Sequence, residues 1–180
     1  DLIAIRDKVP NSVPYAMATK NNSDILVDFQ TWEYAFGADI IDADGKVVVD
    51  SDASKKALAF LVDLMKERLI APEIARPDAR RLVGQTAAAV YLDAPQSRTF
   101  LRSFSGKGKD FDVNIKPMQV PVANAGQEPT SIQWAHLIIS FAQSNPPTKD
   151  DANMQFVAWL GDDAVETQFP VEQSALPGTI

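Results

Sequence analysis

Asp50-Ser51-Asp52-Ala53-Ser54-Lys55-Lys56-Ala57-Leu58-Ala59-Phe60-Leu61-Val62-Asp63-Leu64-Met65-Lys66 opens on side chains that can accept the orphan amide hydrogens of a first helical turn. The spacing predicts a helix over about 53–68. Ala57, Leu58, Leu61, Met65 and Leu69 form its apolar stripe, with Lys55, Lys56, Asp63, Lys66 and Glu67 largely opposite. Further on, Gly84-Gln85-Thr86-Ala87-Ala88-Ala89-Val90-Tyr91-Leu92-Asp93 reads as a helix stop followed by an apolar strand over 86–92. Helix alternating with strand points to an α/β fold.

Outward from these stretches the alternation continues. Towards the N-terminus, Leu2, Ile5 and Val9 have helical spacing up to Pro10, and 13–18 reads as a strand. Asn22-Ser23-Asp24 starts a helix expected over 24–36, and Gly37 suits the left-handed position after it. Asp44-Gly45, between two β-branched runs, predicts a hairpin turn. Pro77-Asp78 opens a helix that Gly84 ends. Towards the C-terminus a short helix over 96–104 is followed by a flexible loop, Ser105-Gly106-Lys107-Gly108-Lys109, and an extended stretch over 111–122. A strand is expected over 131–142, a helix over 149–160 and a further helical piece from Asp162, with Pro170 and Pro177 breaking the tail.

Composition narrows the function. The 180 residues are 46% hydrophobic and 23% charged, which suits a globular chain with a sizeable core. Seventeen basic residues against 24 acidic ones give a net charge of −7, which repels phosphate backbones and argues against nucleic acid. No apolar run is long enough to span a bilayer. The absence of cysteine excludes disulfides, thiolate zinc sites and cysteine nucleophiles, and a lone histidine, His136, excludes sites that need two imidazoles. The chain opens on Asp1-Leu2-Ile3 without an initiator methionine, as a mature or excised product would.

Catalytic motifs are missing: there is no G-x-S-x-G, P-loop or G-x-G-x-x-G. Asp42, Asp44, Asp50 and Asp52 lack the glycine and closing glutamate of a calcium loop, and turn and cap roles explain them better. The informative groups are polar-flanked aromatics. Phe29, Gln30, Trp32 and Glu33 stand close together; Trp134 lies beside Gln133 and His136; Asp93 is followed by Pro95 and Gln96. Aromatic faces can cover the apolar face of a sugar while carboxylates and amides bond its hydroxyls, although each such ring is more often simple core or interface packing. His136, on one strand face with Ile132, Trp134 and Ile138, reads as a satisfied histidine lining an interface.

The order of these pieces resembles the family 1 extracellular solute-binding proteins of ABC importers, of the maltose-binding and glycerol-phosphate-binding type. Phe36-Gly37-Ala38-Asp39-Ile40-Ile41-Asp42-Ala43-Asp44-Gly45-Lys46 is similar to the family's Gly-Gly, strand, Asp-Gly-Lys segment, with Ala38 in place of the second glycine. The Asp50–Lys66 stretch resembles its capped Ala-Leu-x-Phe-Leu helix, and Gly84–Val90 its Gly-Lys-Ala-Ala-Met strand. Asp93-Ala94-Pro95-Gln96 resembles its Gly-Pro-Trp, with Gln96 where an aromatic is common. Ile115–Pro121, Ile132–Ser140, Met154–Leu160 and Ala175-Leu176-Pro177-Gly178 resemble its crossing strand, returning strand, Phe-Leu helix and Leu-Pro mark.

The resemblance implies a periplasmic-binding-protein-like (type II) two-lobe fold, present here as a fragment. Residues 1–117 would form most of the second lobe, 118–130 would cross the hinge, and 131–180 would return to the first lobe. It implies capture of a sugar or oligosaccharide between the lobes and delivery to the membrane subunits of an ABC permease. It also implies a monomer in the periplasm or outside the cell, or anchored there as a lipoprotein, with no enzymatic activity, cofactor or metal. The expected solute contacts are Trp32, Trp134, Phe29, Gln96, Asp93, Glu33, Gln30, Gln133 and His136. A polyol, phosphate-ester or polyamine ligand, a sensory or adaptor domain, and a small α/β enzyme are the alternatives.

Overall fold

The computed structural model describes residues 2–133, 137, 139 and 147–173. The chain divides into two compact units, one of Asp1–Asp93 and Phe100–Ile132, the other of Ala94–Thr99 and Gln133–Ile180.

In the first unit, helix α1 (Leu2–Lys8) leads into strand β1 (Tyr15–Ala16), helix α2 (Ser23–Ala35), helix α3 (Asp52–Lys66), helix α4 (Arg76–Gly84) and strand β2 (Val90–Tyr91). Helix α5 (Ser97–Ser105) starts in the segment assigned to the second unit and ends in the first, where a 3₁₀ helix over Gly108–Asn114 follows it. The expected 13–18 and 86–92 strands shrink to one parallel pair, with Tyr15 opposite Val90 and Ala16 opposite Tyr91. The reason lies in where the main chain bonds. The Tyr15 amide turns to Leu69 O at 3.0 Å, and those of Thr19 and Lys20 share Ile74 O at 2.8 and 3.0 Å. Thr19 Oγ1 donates to Ala71 O and accepts from the Ile74 amide. The irregular 69–74 connection therefore occupies the other edge of β1 in place of a strand, and the unit is helical with little sheet.

The core is built from Tyr15, Met17, Leu61, Leu64, Leu69 and Ile70, with Leu2, Phe29, Trp32, Phe60, Val90 and Leu92 packed against it. α3 buries Ser54, Ala57, Leu61 and Leu64, whereas Leu58 and Met65, expected on its inner stripe, are exposed. Apolar residues surround much of this helix, and small Ser54 and Ala57 let their face approach the core. Ser51 caps α3 by accepting from the Ser54 amide at 3.1 Å, and Asn22 caps α2 by accepting from Asp24 at 2.9 Å.

Three helices end alike. After α2, the Gly37 and Ala38 amides return to Tyr34 O and Glu33 O; after α3, Arg68 and Leu69 return to Met65 O and Leu64 O; after α4, Thr86 and Ala87 return to Val83 O and Leu82 O. Each is a Schellman cap, which needs a left-handed residue just past the helix. Gly37 fills it at φ 78°, but Arg68 (56°) and Thr86 (59°) do so against their side chains.

The Asp44-Gly45 turn forms, with Asp42 Oδ1 accepting from the Asp44 and Lys46 amides at 3.0 and 2.9 Å, and one antiparallel bridge, Ile41 to Val47, closes it. Beyond it, Phe111 is buried in the 3₁₀ turn where extended chain was expected. Arg102 on α5 pairs with Asp112 in that turn, its Nε 2.7 Å from Oδ1. Ala123 N and Gln127 Nε2 donate to the last carbonyls of α2, Ala35 O and Tyr34 O, at 3.0 and 3.1 Å.

The second unit contains helices α6 (Pro147–Leu160) and α7 (Asp163–Gln173). Phe156 and Trp159 stack on α6, 5.9 Å apart. α7 runs through Pro170 rather than stopping at it; the φ fixed by proline is itself helical, and the residue is buried here. Most of the expected 131–142 strand lies outside the described residues, as do Pro177 and the Ala175–Gly178 mark. No helix among the described residues is long and apolar enough to cross a membrane.

Candidate functional site

In open α/β sheets, loops beyond the carboxyl ends of the strands carry the ligand contacts. Here that end of the β1–β2 pair holds a buried network of charge. Asp28, on α2, is 1% exposed; its Oδ2 accepts from the Ala18 amide at 2.9 Å and its Oδ1 from Arg76 Nη2 at 2.6 Å. Arg76, at the start of α4, also reaches Asp24 O at 3.2 Å, Leu92 O at 3.4 Å and Asp93 Oδ1 at 3.8 Å. One turn on, Arg80 grips Asp93 in a fork, with Nε to Oδ2 at 2.7 Å and Nη2 to Oδ1 at 3.2 Å, and the Tyr91 hydroxyl donates to the same Oδ2.

Burial pushes the Asp28 carboxyl up, and Arg76 and the Ala18 amide pull it back only in part. For Arg76 burial works against the charge, but Asp28 and Asp93 outweigh it and hold the guanidinium above its ordinary range. Arg80 behaves in the same way through Asp93. The network is thus internally paired, which is the condition under which buried charge is tolerated. It fixes geometry and offers no free acid or base. No cluster of three metal-ligating side chains occurs among the described residues.

The candidate residues fall into distinct settings. Trp32 is half-buried on the core: its indole N–H donates to Tyr15 Oη at 3.2 Å, and its ring lies 5.0 Å from Phe60. Phe29 packs on the same cluster. Gln30 Nε2 donates to Tyr34 Oη at 2.7 Å, and Glu33 is buried. Asp93 is tied to Arg80, its side chain 1% exposed. Gln96 is half-buried, its backbone carbonyl accepting from the Thr99 amide at 3.1 Å, and Gln133 is exposed. Trp134 and His136 lie outside the described residues. The structure brings Phe29 and Trp32 together on one cluster and joins Asp93 to the charge network, which takes in Asp28, Arg76, Arg80 and Tyr91. Of these four, Asp28, Arg76 and Arg80 were not nominated from sequence. Nor was the exposed polar turn Lys20-Asn21-Asn22-Ser23, which follows β1 at its carboxyl end and leads into α2. The signal for it was the position of a strand end, and it required knowing where β1 stops.

Two shallow surface grooves stand apart from these residues. One, of about 580 Å³, runs along α7 at Asp163, Thr167 and Val171; the other, of about 300 Å³, runs along the outer face of α3 at Leu58, Val62 and Lys66.

No protein-family model matches the chain, and no curated protein sequence matches it. Solved structures do. A solute-binding protein of an ABC transporter from Thermotoga lettingae TMO, bound with alpha-D-tagatose, is 22% identical with a TM-score of 0.76 over 98% of this chain and 44% of that one. Maltose-bound MalE3 of T. maritima is 18% identical, with a TM-score of 0.74 over 98% and 44%. A solute-binding protein from Agrobacterium radiobacter K84, in complex with ribitol, is 17% identical, with a TM-score of 0.71 over 96% and 44%. The chain therefore has the solute-binding-protein fold, and it spans less than half the length of the structures it matches.

Proposed function

We propose that this chain is part of the solute-binding component of an ABC importer, which captures a sugar or a related polyol outside the cytoplasm and passes it to a membrane permease without chemical change. The carrying observation is a fold match over nearly the whole chain to three binding proteins whose ligands are maltose, tagatose and ribitol. All three ligands are polyhydroxylated and uncharged. Such solutes are held by apolar ring faces and a few placed hydrogen-bonding groups, not by catalytic machinery. In this reading residues 1–117 belong to one lobe, 118–130 to the crossing and 131–180 to the other; the break between units after Ile132 lies near the last boundary, while Ala94–Thr99 groups with the second unit.

The nine candidates are carried forward in different roles. Phe29, Trp32 and Glu33 shape the wall from within, Gln30, Gln96 and Gln133 supply amide hydrogen bonds, and Trp134 and His136 supply a ring face and a polar partner. Asp93 acts through its neighbours. The Lys20–Ser23 turn joins them as a polar loop at a strand's carboxyl end.

The test is a titration of tryptophan fluorescence in the 180-residue chain and in the full-length protein that carries it, against maltose, tagatose, ribitol and putrescine. A saturable change with a polyhydroxylated ligand in the full-length protein, weak or absent in the chain alone, is expected. A response to putrescine alone, or to nothing, would overturn the assignment.

A further inference from the structure

Arg80 stands at a singular place in the chain path. The backbone leaves the first unit after Asp93 and re-enters it at Phe100, so Ala94–Thr99 is an excursion with two ends. Arg80 touches both. Its fork holds Asp93 at 2.7 and 3.2 Å, and its guanidinium carbon lies 4.3 Å from the centroid of the Phe100 ring. A bidentate ion pair fixes orientation as well as distance, and a cation over a ring face adds a second restraint of a different kind. Lysine could supply the charge but not the fork.

The packing of α4 on α5 has other contacts besides this one. Gly84 brings the two helices so close that a Cβ there would stand 2.7 Å from Phe104 Cβ, and Arg81 lies over the Phe104 ring at 5.3 Å. Arg80 is thus one of several contacts between the two helices, and alone among these three it also holds Asp93. The Asp93 carboxylate, 1% exposed, is occupied by Arg80, Arg76 and the Tyr91 hydroxyl, which leaves it an anchor and not a solute contact.

We propose that Arg80 is a positioning residue: it clasps Asp93 and Phe100, both in the first unit, and so fixes the two points from which the segment carrying Gln96 departs and to which it returns. The ligand half of this inference rests on the solute-binding reading. Preorganising the backbone that carries a contact cuts the ordering cost of binding.

The test uses the full-length protein with Arg80→Gln, Arg80→Lys and, as a control on the same helix, Arg81→Gln. Hydrogen exchange reads the clasp without any ligand. Arg80→Gln should speed exchange of amides over 92–99 while those of 15–18 stay protected; Arg80→Lys should restore part of the protection, and Arg81→Gln should match wild type. Calorimetry with tagatose, maltose and ribitol should show a Kd raised about tenfold by Arg80→Gln, because binding would then have to order a loosened segment. Unchanged exchange over 92–99, uniformly faster exchange across the unit, or unchanged affinity despite local loosening would each overturn the proposal. If wild type bound none of the three solutes while Arg80→Gln still freed 92–99, the solute-binding reading and the role of Gln96 would fall and the clasp itself would be supported.

Discussion

Arg76 and Asp28, on different helices, meet at 2.6 Å with side chains only 10% and 2% exposed. Removing one partner leaves the other buried and uncompensated, which costs about 3–5 kcal/mol, whereas replacing both by apolar residues of similar size is often neutral or better. Asp28→Ala and Arg76→Ala should each destabilise the first unit strongly in urea unfolding. The double variant Asp28→Leu with Arg76→Met should recover most of the loss. A double variant as unstable as the sum of the singles would show that the pair is not the coupled element described here.

Thr86 and Arg68 occupy left-handed positions that suit glycine. A left-handed residue with a side chain costs roughly 1–2 kcal/mol, against about 0.5–1 kcal/mol for glycine's extra freedom when unfolded. Thr86→Gly should therefore raise stability by roughly half to one kcal/mol on those figures, more than Arg68→Gly, because branching at Cβ makes this conformation harder still. Gly37→Ala, at φ 78°, should go the other way. Thermal melts of the three variants check the ordering.

Gly84→Ala sets helix propensity against packing. Propensity favours alanine by about 1 kcal/mol. The new methyl, however, would meet Phe104 Cβ at 2.7 Å, and that atom is fixed to the α5 backbone. Overpacking costs about 1–3 kcal/mol, so a net loss is expected, seen as a lower unfolding midpoint.

Burial pushes the Tyr15 and Tyr91 phenols well above their ordinary range, and for Tyr91 the Asp93 carboxylate adds to it. In the unfolded chain these groups ionise near pH 10. Above that pH the folded state holds more protons than the unfolded one, so stability falls as pH rises. Their contribution is intact below about pH 10 and disappears above it. Phenolate absorbance from Tyr15 and Tyr91 should appear together with unfolding. Their ionisation in the folded protein would contradict the burial.

Local signals in the sequence carried the helices well. Asn22 and Ser51 announce α2 and α3, Gly37 announces the end of α2, and Asp44 with Gly45 announces the tight turn, because caps and turns are decided by residues a few positions apart. Strand length was not legible in this way. Whether 13–18 pairs along its length depends on residues 69–74 and 87–91, which no local pattern reveals. The same holds for the site. Trp32 and Phe29 were legible as a ring pair, but that their rings lie on the core, with the Trp32 indole bonded to Tyr15, depends on how α2 is turned. Arg76 and Arg80 read from sequence as ordinary helix charges; only the fold brings Asp93 to them. Asp28 likewise looks like a polar helix residue until the Ala18 amide and Arg76 are placed beside it.

β1 is bonded on both sides by segments far along the chain, Leu69 on one edge and Val90 on the other. During synthesis this imposes an order. The Tyr15 backbone finds its first partner only when residue 69 is outside the ribosome, and its second only at residue 90, which is 75 positions (90 minus 15) after its own. Until then an apolar run including Tyr15, Met17 and Ala18 waits uncovered, and contacts of such long sequence separation form late. A translational pause before residue 90 would prolong that exposure, and one placed after it would not.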